Sequence, residues 1–426
     1  MHPSFDSVGP GIWPLALCAT VLDRCRSRRT SGVVVWLIAG WLGGFAIEPG
    51  PSSAEEVSGP GLAEPGGAID QAAQQGPSDA KSPTEARVFF GPETGLRIEG
   101  EHAWIALHGH TWLRAEAQER VGGNTEVQGS IPVARVFTVG SVLDSRLHFF
   151  AQEEFGDGDP ELLDLFAEWW FCDALHVRAG QFRTPYSRAF ITPLTNLTLS
   201  TRGLVDQEFN LGRDTGAIAS GTLGDGLYHY DLALVNGATI DDLEGNRNSP
   251  SVILRNELRF GEPVPYDQAP SLTIDDPRGV TLGFGGAFSR RAVEGAPGAT
   301  TQSLWNAGAD VAWMRGPVSV IAEGFWRGAS GSPQTSNAFG AYAQAGVFVL
   351  PRLLELGGRA GWLSNGPDLQ TYEAYLTAYW KSGSLALGHH LQMNLGFRYD
   401  SGDPSQSGPV DLRDRYLVRL QTQIFF

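Results

Sequence analysis

The residues best able to do chemistry in this chain are arginines at even spacing. Arg255 and Arg259 lie four apart, as do Arg415 and Arg419, while Arg114, Arg135, Arg178, Arg327, Arg359 and Arg398 stand on the polar side of stretches that alternate in polarity. Of 31 basic residues only Lys81 and Lys381 are lysines. Cationic sites are therefore built from guanidinium, a permanently charged planar fork that grips carboxylate or phosphate oxygens at two points. Asp164, Glu168, Glu257, Asp310, Glu323, Glu355 and Glu373 share the same faces, so many of these charges are expected to pair across neighbouring strands. The chemistry offered is anion recognition and ion pairing. No catalytic residue, metal or cofactor is expected. His108 with His110, and His389 with His390, lack a third metal ligand at useful spacing. Gly283-Phe284-Gly285-Gly286 interrupts a strand pattern and leads into no helix, so it is not a dinucleotide fingerprint.

Alternating strands must position these side chains. The last eleven residues, Tyr416 to Phe426, put Tyr416, Val418, Leu420, Thr422, Ile424 and Phe426 on one face and Leu417, Arg419, Gln421 and Gln423 on the other. One face suits lipid and the other water. A strand that runs to a terminal ring predicts that this end is paired, as in a closed barrel. The pattern recurs over His102–Ala117, Arg135–Leu143, Arg146–Phe155, Leu162–Phe171 and Leu175–Phe182. It continues at about 213–221, 227–236, 252–260, 279–289, 303–314, 318–327, 339–350, 353–363, 371–381, 390–400 and 413–426. The count is sixteen, an even number, as in bacterial outer-membrane barrels. Within Leu162–Phe171, Leu163, Leu165, Ala167, Trp169 and Phe171 are assigned to lipid, and Asp164 and Glu168 to the lumen.

Composition agrees with an all-β transmembrane antiparallel barrel. The chain has 54 Gly, 12 Trp and 22 Phe but only 18% charged residues, and no stretch after residue 50 approaches the roughly 20 apolar residues of a spanning helix. Tyr228, Trp305, Trp313, Trp326, Trp362, Trp380 and Tyr399 fall near strand ends on apolar faces, as aromatic girdles do. A net charge of -16 argues against a nucleic-acid partner.

At the other terminus, Arg24, Arg26, Arg28 and Arg29 precede the apolar run Val33 to Ile47, and Ser52-Ser53-Ala54 follows. Residues 1–54 read as a secretory signal peptide, with an uncleaved anchor helix as the alternative. Residues 55–95 read as a disordered periplasmic linker, and 96–426 as the barrel.

The insertion between the fifth and sixth strands, about 184–210, stands out among short loops. Gly180 permits close backbone approach and Pro185 removes a ladder donor, so the chain should leave the sheet there. A long loop in such a fold suits narrowing the pore. It carries Arg188 and Arg202, with Arg183 at its entrance and Arg213 at its exit. Arg213 and Asp214 could equally serve as structural pairs pinning the loop to the wall.

Two motifs in order, Gly180-Gln181-Phe182-Arg183-Thr184-Pro185-Tyr186-Ser187 and Glu208-Phe209-Asn210-Leu211-Gly212-Arg213-Asp214-Thr215-Gly216, resemble the phosphate-selective porin O and P family. The resemblance implies a sixteen-stranded outer-membrane barrel, commonly a homotrimer, with an inward-folded constriction loop. It implies passive diffusion of anions, phosphate among them, through an arginine-lined constriction, for which Arg183, Arg188, Arg202 and Arg213 are candidates together with Arg114, Arg135, Arg178, Arg255 and Arg259 on the wall. Phosphate-specific members add lysine clusters at the channel mouths, and this chain lacks them. A general or weakly anion-selective pore is the resulting expectation, beside a plugged structural barrel and, remotely, an outer-membrane hydrolase.

Overall fold

The computed structural model describes residues 86–426 except 92–93, 121–122, 144, 157, 159, 238–248, 273, 294–299, 332–335, 365–367, 383–384 and 403–413. The expected signal peptide 1–54, and the linker as far as residue 85, lie outside the described residues. A hairpin of β1 (Arg87–Gly91) and β2 (Gly95–Glu99) comes first. The next eight strands are β3 (Trp104–Arg120), β4 (Thr125–Val142), β5 (Leu147–Glu154), β6 (Glu161–Cys172), β7 (Leu175–Arg183), β8 (Arg213–Leu223), β9 (Tyr228–Val235) and β10 (Ser249–Gly261). They are followed by β11 (Arg278–Val293), β12 (Thr300–Arg315), β13 (Val318–Ser330), β14 (Ser336–Leu350), β15 (Leu354–Ser364), β16 (Asp368–Ser382), β17 (Leu385–Gly402) and β18 (Arg415–Phe425). Each of the strands from β3 onward pairs antiparallel with the next, and β18 returns to β3 from Arg415↔Arg120 to Phe425↔His110. Sixteen strands therefore close on themselves, the number expected.

Side-chain alternation explains the closure. Along β18, Tyr416, Val418, Leu420, Ile424 and Phe426 are exposed, whereas Leu417, Arg419, Gln421 and Gln423 are buried. Inverting the usual rule, the outside is apolar and the inside polar, which suits a barrel surrounded by lipid. Trp305, Trp362 and Trp380 are among the exposed outer rings.

Three local expectations are corrected. The first concerns the linker assigned to 55–95, whose end forms strand β1 and the start of β2. β18 runs out at the terminus, where Gly109 and Phe426 exchange backbone hydrogen bonds of 3.0 Å. The edge Trp104–Leu107 of β3 is left over, and β2 covers it. Second, β4 starts at Thr125 rather than Arg135, because it continues past the apolar band where polar side chains carry no lipid signal. Pro132 falls where the β3–β4 register slips, a place that tolerates a missing N–H. Third, Leu163 is buried instead of lipid-facing. The β5–β6 register shifts between Gln152 and Glu153, and this bulge turns Leu163 and Asp164 inward together.

Candidate pore site

The chain leaves the wall after Arg183, two residues before Pro185, while Gly180 lies within β7, paired with Phe166 and Gly216. The φ of Gly180 is +135°, and a Cβ there would lie 2.2 Å from the Leu165 carbonyl oxygen, so a side chain at this position would be strained and blocked. The chain then forms α1 (Arg188–Ile191), a 3-10 turn at Leu194–Asn196 and α2 (Leu204–Phe209). Ser187 caps α1 by accepting from the Phe190 N–H at 3.2 Å. Glu323, from β13, accepts from the backbone N–H groups of Arg188 at 3.0 Å and Ala189 at 2.6 Å. A carboxylate thus occupies the end of the helix where backbone donors are unsatisfied.

Wall side chains from other strands take up the segment's backbone carbonyls. Gln423 donates to Thr195 O at 2.8 Å, Gln392 to Leu197 O at 2.8 Å, Asn394 to Thr198 O at 2.7 Å, Arg114 to Ser200 O at 2.9 Å and Arg359 to Thr201 O at 3.0 Å. Arg327 pairs with Glu208 of α2 at 3.0 Å.

A second segment, whose length stands out in the sequence but whose inward fold does not, meets the first. The connection Glu262–Pro277 joins β10 to β11 at the barrel end that holds the C-terminus, where other turns are only a few residues long. Gln268 N donates to Asn196 O at 3.1 Å, and the Gln268 side chain accepts from Thr198 N at 3.0 Å. Arg188 donates to Val264 O at 2.9 Å and Pro265 O at 2.6 Å, and its guanidinium lies 4.6 Å from the Tyr266 ring centre. The usable sequence signal was length and content: sixteen residues holding Val264, Tyr266 and Leu272 are more than a turn requires.

The nine candidate arginines divide by partner. Arg255 pairs with Asp310 at 2.7 Å and Glu257 at 3.0 Å, Arg259 pairs with Glu257 at 2.9 Å, and Arg188 lies 3.6 Å from Glu257. These three are almost wholly buried. A Cβ on Gly283 would lie 2.2 Å from Asp310 Oδ2, so the glycine run marked in the sequence makes room for the Arg255 pair. Arg114 is held by Gln421 at 2.8 Å and by Ser200 O. Arg213 binds both oxygens of Asp164 at 3.1 Å, the pinning pair allowed for above. Asp214 instead accepts from Thr215 N and Gly237 N at 2.7 Å each. Arg135 pairs with Glu154 at 2.6 Å and Arg178 with Glu168 at 3.0 Å.

Arg183 and Arg202 differ from the ion-paired arginines among these. Arg183 donates to Ile191 O at 3.1 Å and Thr192 O at 3.4 Å, and Arg202 donates to Ala189 O at 2.8 Å, Phe190 O at 3.2 Å and Thr192 O at 2.5 Å. Both grip the carbonyl end of α1, where backbone acceptors lack helical partners. Among the described residues no carboxylate forms an ion pair with either. Burial, together with Arg135 and Arg213, holds the Arg202 guanidinium down at about 10, still fully charged at neutral pH.

Between this cluster and strands β3–β9 lies a cavity. Arg135, Arg178 and Arg183 line it, as do Phe137, Phe150 and Phe166. The rings went unnoticed in the sequence, although each shares the polar face of its strand: Phe137 with Arg135, Phe150 with Gln152 and Phe166 with Asp164. His110 and His176 also line this cavity, His110 at 3.2 Å from Gln423, whereas His389 lies 2.9 Å from Asp267 of the second segment.

A closed barrel with a lipid-facing exterior and a polar, partly filled lumen defines an outer-membrane pore protein. Residues 143–382 match the sequence profile of the family Phosphate-selective porin O and P, and the chain belongs to that family. It is a porin of the bacterial outer membrane, a channel rather than an enzyme. Among solved structures it is similar to the anion-selective porin from Comamonas acidovorans, with a TM-score of 0.55 and 10% identity over 76% of this chain and 100% of that one. It is also similar to outer-membrane expressed OmpT of Vibrio cholerae, at 0.53 and 9% over 77% and 99%, and to the outer membrane channel DcaP of Acinetobacter baumannii, at 0.51 and 10% over 76% and 98%. At these identities the likeness is one of fold. No curated protein matches the sequence.

Proposed function

We propose that this porin passes small solutes by passive diffusion with a preference for anions, set where the carbonyl end of α1 meets the wall. The carrying observation is a charge imbalance. Arg135, Arg183, Arg202 and Arg213 gather there, each within electrostatic reach of others in the group, while the wall contributes the ion-paired carboxylates Glu154 and Asp164. Asp206 also lies within reach of Arg202 and offsets part of its charge, which leaves three acidic groups against four guanidiniums. Fixed positive charge in a narrow aqueous passage is poorly screened and favours anions. The relatives' names, an anion-selective porin and a phosphate-selective family, support the same sign. The segment 184–210 serves as the constriction, residues 1–54 direct export, and the barrel assembles as a homotrimer.

Reversal potential across a planar bilayer in a salt gradient tests the preference. The expected sign is that of a chloride-preferring pore, and a potassium-preferring sign would refute it. A plugged structural barrel is the second reading, supported by the mutual hydrogen bonds of the segments 184–210 and 262–277. That reading predicts no conductance steps from purified protein.

A further inference from the structure

The anion passage carries an apolar feature that inorganic phosphate would not use. Rings on β17, β18, β4, β5 and β6 form a row inside the lumen. His390 stacks on Phe425 at 4.7 Å between centres, Phe425 on Phe137 at 5.8 Å, Phe137 meets Phe150 at 5.8 Å, and Phe150 stacks on Phe166 at 5.4 Å. The row ends under a cation, with the Arg178 guanidinium 4.3 Å from the centre of Phe166. Ile191 and Leu194 of the inserted segment, with Ile218 of β8, line the cavity as well. Pockets for organic ligands are mostly apolar, with a few placed polar groups. The lining of this cavity, phenyl rings and aliphatic side chains beside Arg135, Arg178 and Arg183, fits that description.

We infer that the cavity is a transit site for aryl carboxylates, small acids that carry a planar ring beside one negative charge. The carboxylate is drawn to the side of Arg183 and Arg135, and the ring lies along Phe137, Phe150 and Phe166. Ring-on-ring packing adds to area burial, and guanidinium over an aromatic face adds further. A strongly hydrated phosphate gains nothing from three phenyl rings and loses water beside them. The inference rests on the anion reading above and names its solute class.

Full-length protein in planar bilayers, carrying chloride current, provides the test, with benzoate and acetate added as blockers of equal charge. Benzoate is expected to reach half-block at roughly tenfold lower concentration than acetate, on the order of one aromatic contact. Phe150→Leu combined with Phe166→Leu, which keep an apolar wall, should bring the two acids within about twofold. Arg183→Gln should raise the half-blocking concentration of benzoate and leave neutral benzamide unchanged. Migration as a folded barrel on unheated gels confirms that each variant assembles. Equal block by the two acids in the unaltered protein, or an unchanged ratio in the leucine variant, overturns the inference. Reversal potential on the same membranes separates the two failures: anion preference with equal block sinks only the ring assignment, while loss of anion preference sinks the reading beneath it.

Discussion

Two sides of the lumen use the same residue type for opposite ends. On the β10–β13 side, Arg188, Arg255 and Arg259 converge on Glu257, with Asp310 taking a further share of Arg255, and nearly all of this is buried. The Tyr266 hydroxyl donates to Glu257 at 2.5 Å and fills the remaining space. On the β3–β9 side, Arg183 and Arg202 spend their donors on helix carbonyls and keep their charge unneutralised by any ion pair among the described residues. A carbonyl satisfies the hydrogen bonds of a guanidinium without cancelling its field. The first side is glue and the second is a field, so a count of inward arginines says little about selectivity until their partners are known.

The largest expected effect comes from breaking the glue. Glu257→Leu removes the carboxylate shared by three buried guanidiniums, and breaking one partner out of a buried ionic cluster costs about 3–5 kcal/mol. Unfolding of the detergent-solubilised barrel in urea should move to clearly lower concentration. An unchanged midpoint would mean that the network contributes nothing net. Next comes removal of the second segment. Replacing 263–268 with a glycine-serine link takes away Tyr266 and the fixed placement of the carbonyls that hold Arg188, and single-channel conductance should rise by roughly twofold as the lumen clears. Unaltered conductance would place the narrowest point elsewhere.

A direct contrast between the two sides follows. Arg183→Gln and Arg202→Gln should each lower the anion-to-cation permeability ratio by roughly threefold, while Arg259→Gln, removing a neutralised charge, should leave it within error. Equal shifts for Arg183 and Arg259 would erase the distinction drawn here.

Much of the wall was legible because lipid imposes a period. On β18, Tyr416, Val418, Leu420, Ile424 and Phe426 recur at every second position with only Thr422 between them, and the strand number followed from that period. The lumen imposes no such period. Arg255 and Arg183 both read as inward guanidiniums, and only the fold decides that one meets Asp310 from β12 and the other meets the end of a one-turn helix. The segment 184–210 was visible through Gly180, Pro185 and its length, whereas its partner 262–277 reads only as the longest of the other connections until Gln268 is seen against Asn196. The β1–β2 hairpin was obscured by the Gly- and Pro-rich residues before it, although Val88, Phe89 and Phe90 already carried a strand signature. Leu163 was misassigned because alternation cannot register a bulge.

The smallest effect sharpens the comparison through pH. Asp206 in α2 is fully buried, and its Oδ2 makes no hydrogen bond. Burial pushes its carboxyl above the ordinary 3.8, against the opposing pull of the Arg202 charge and the Ser187 hydroxyl. With the folded value above the unfolded one, the stability tied to this proton is complete below the unfolded value and is lost as pH rises through the folded value. The pore should follow the same proton. As pH falls through the folded value, Asp206 loses its charge, Arg202 loses its nearest electrostatic offset, and anion preference should climb, by less than about twofold for one screened charge. Asp206→Asn should flatten that step and hold the acid-side preference at neutral pH. Reversal potentials recorded from pH 4 to 8 in both proteins decide the matter, and a step of equal size in the variant would remove Asp206 from the selective side of the lumen.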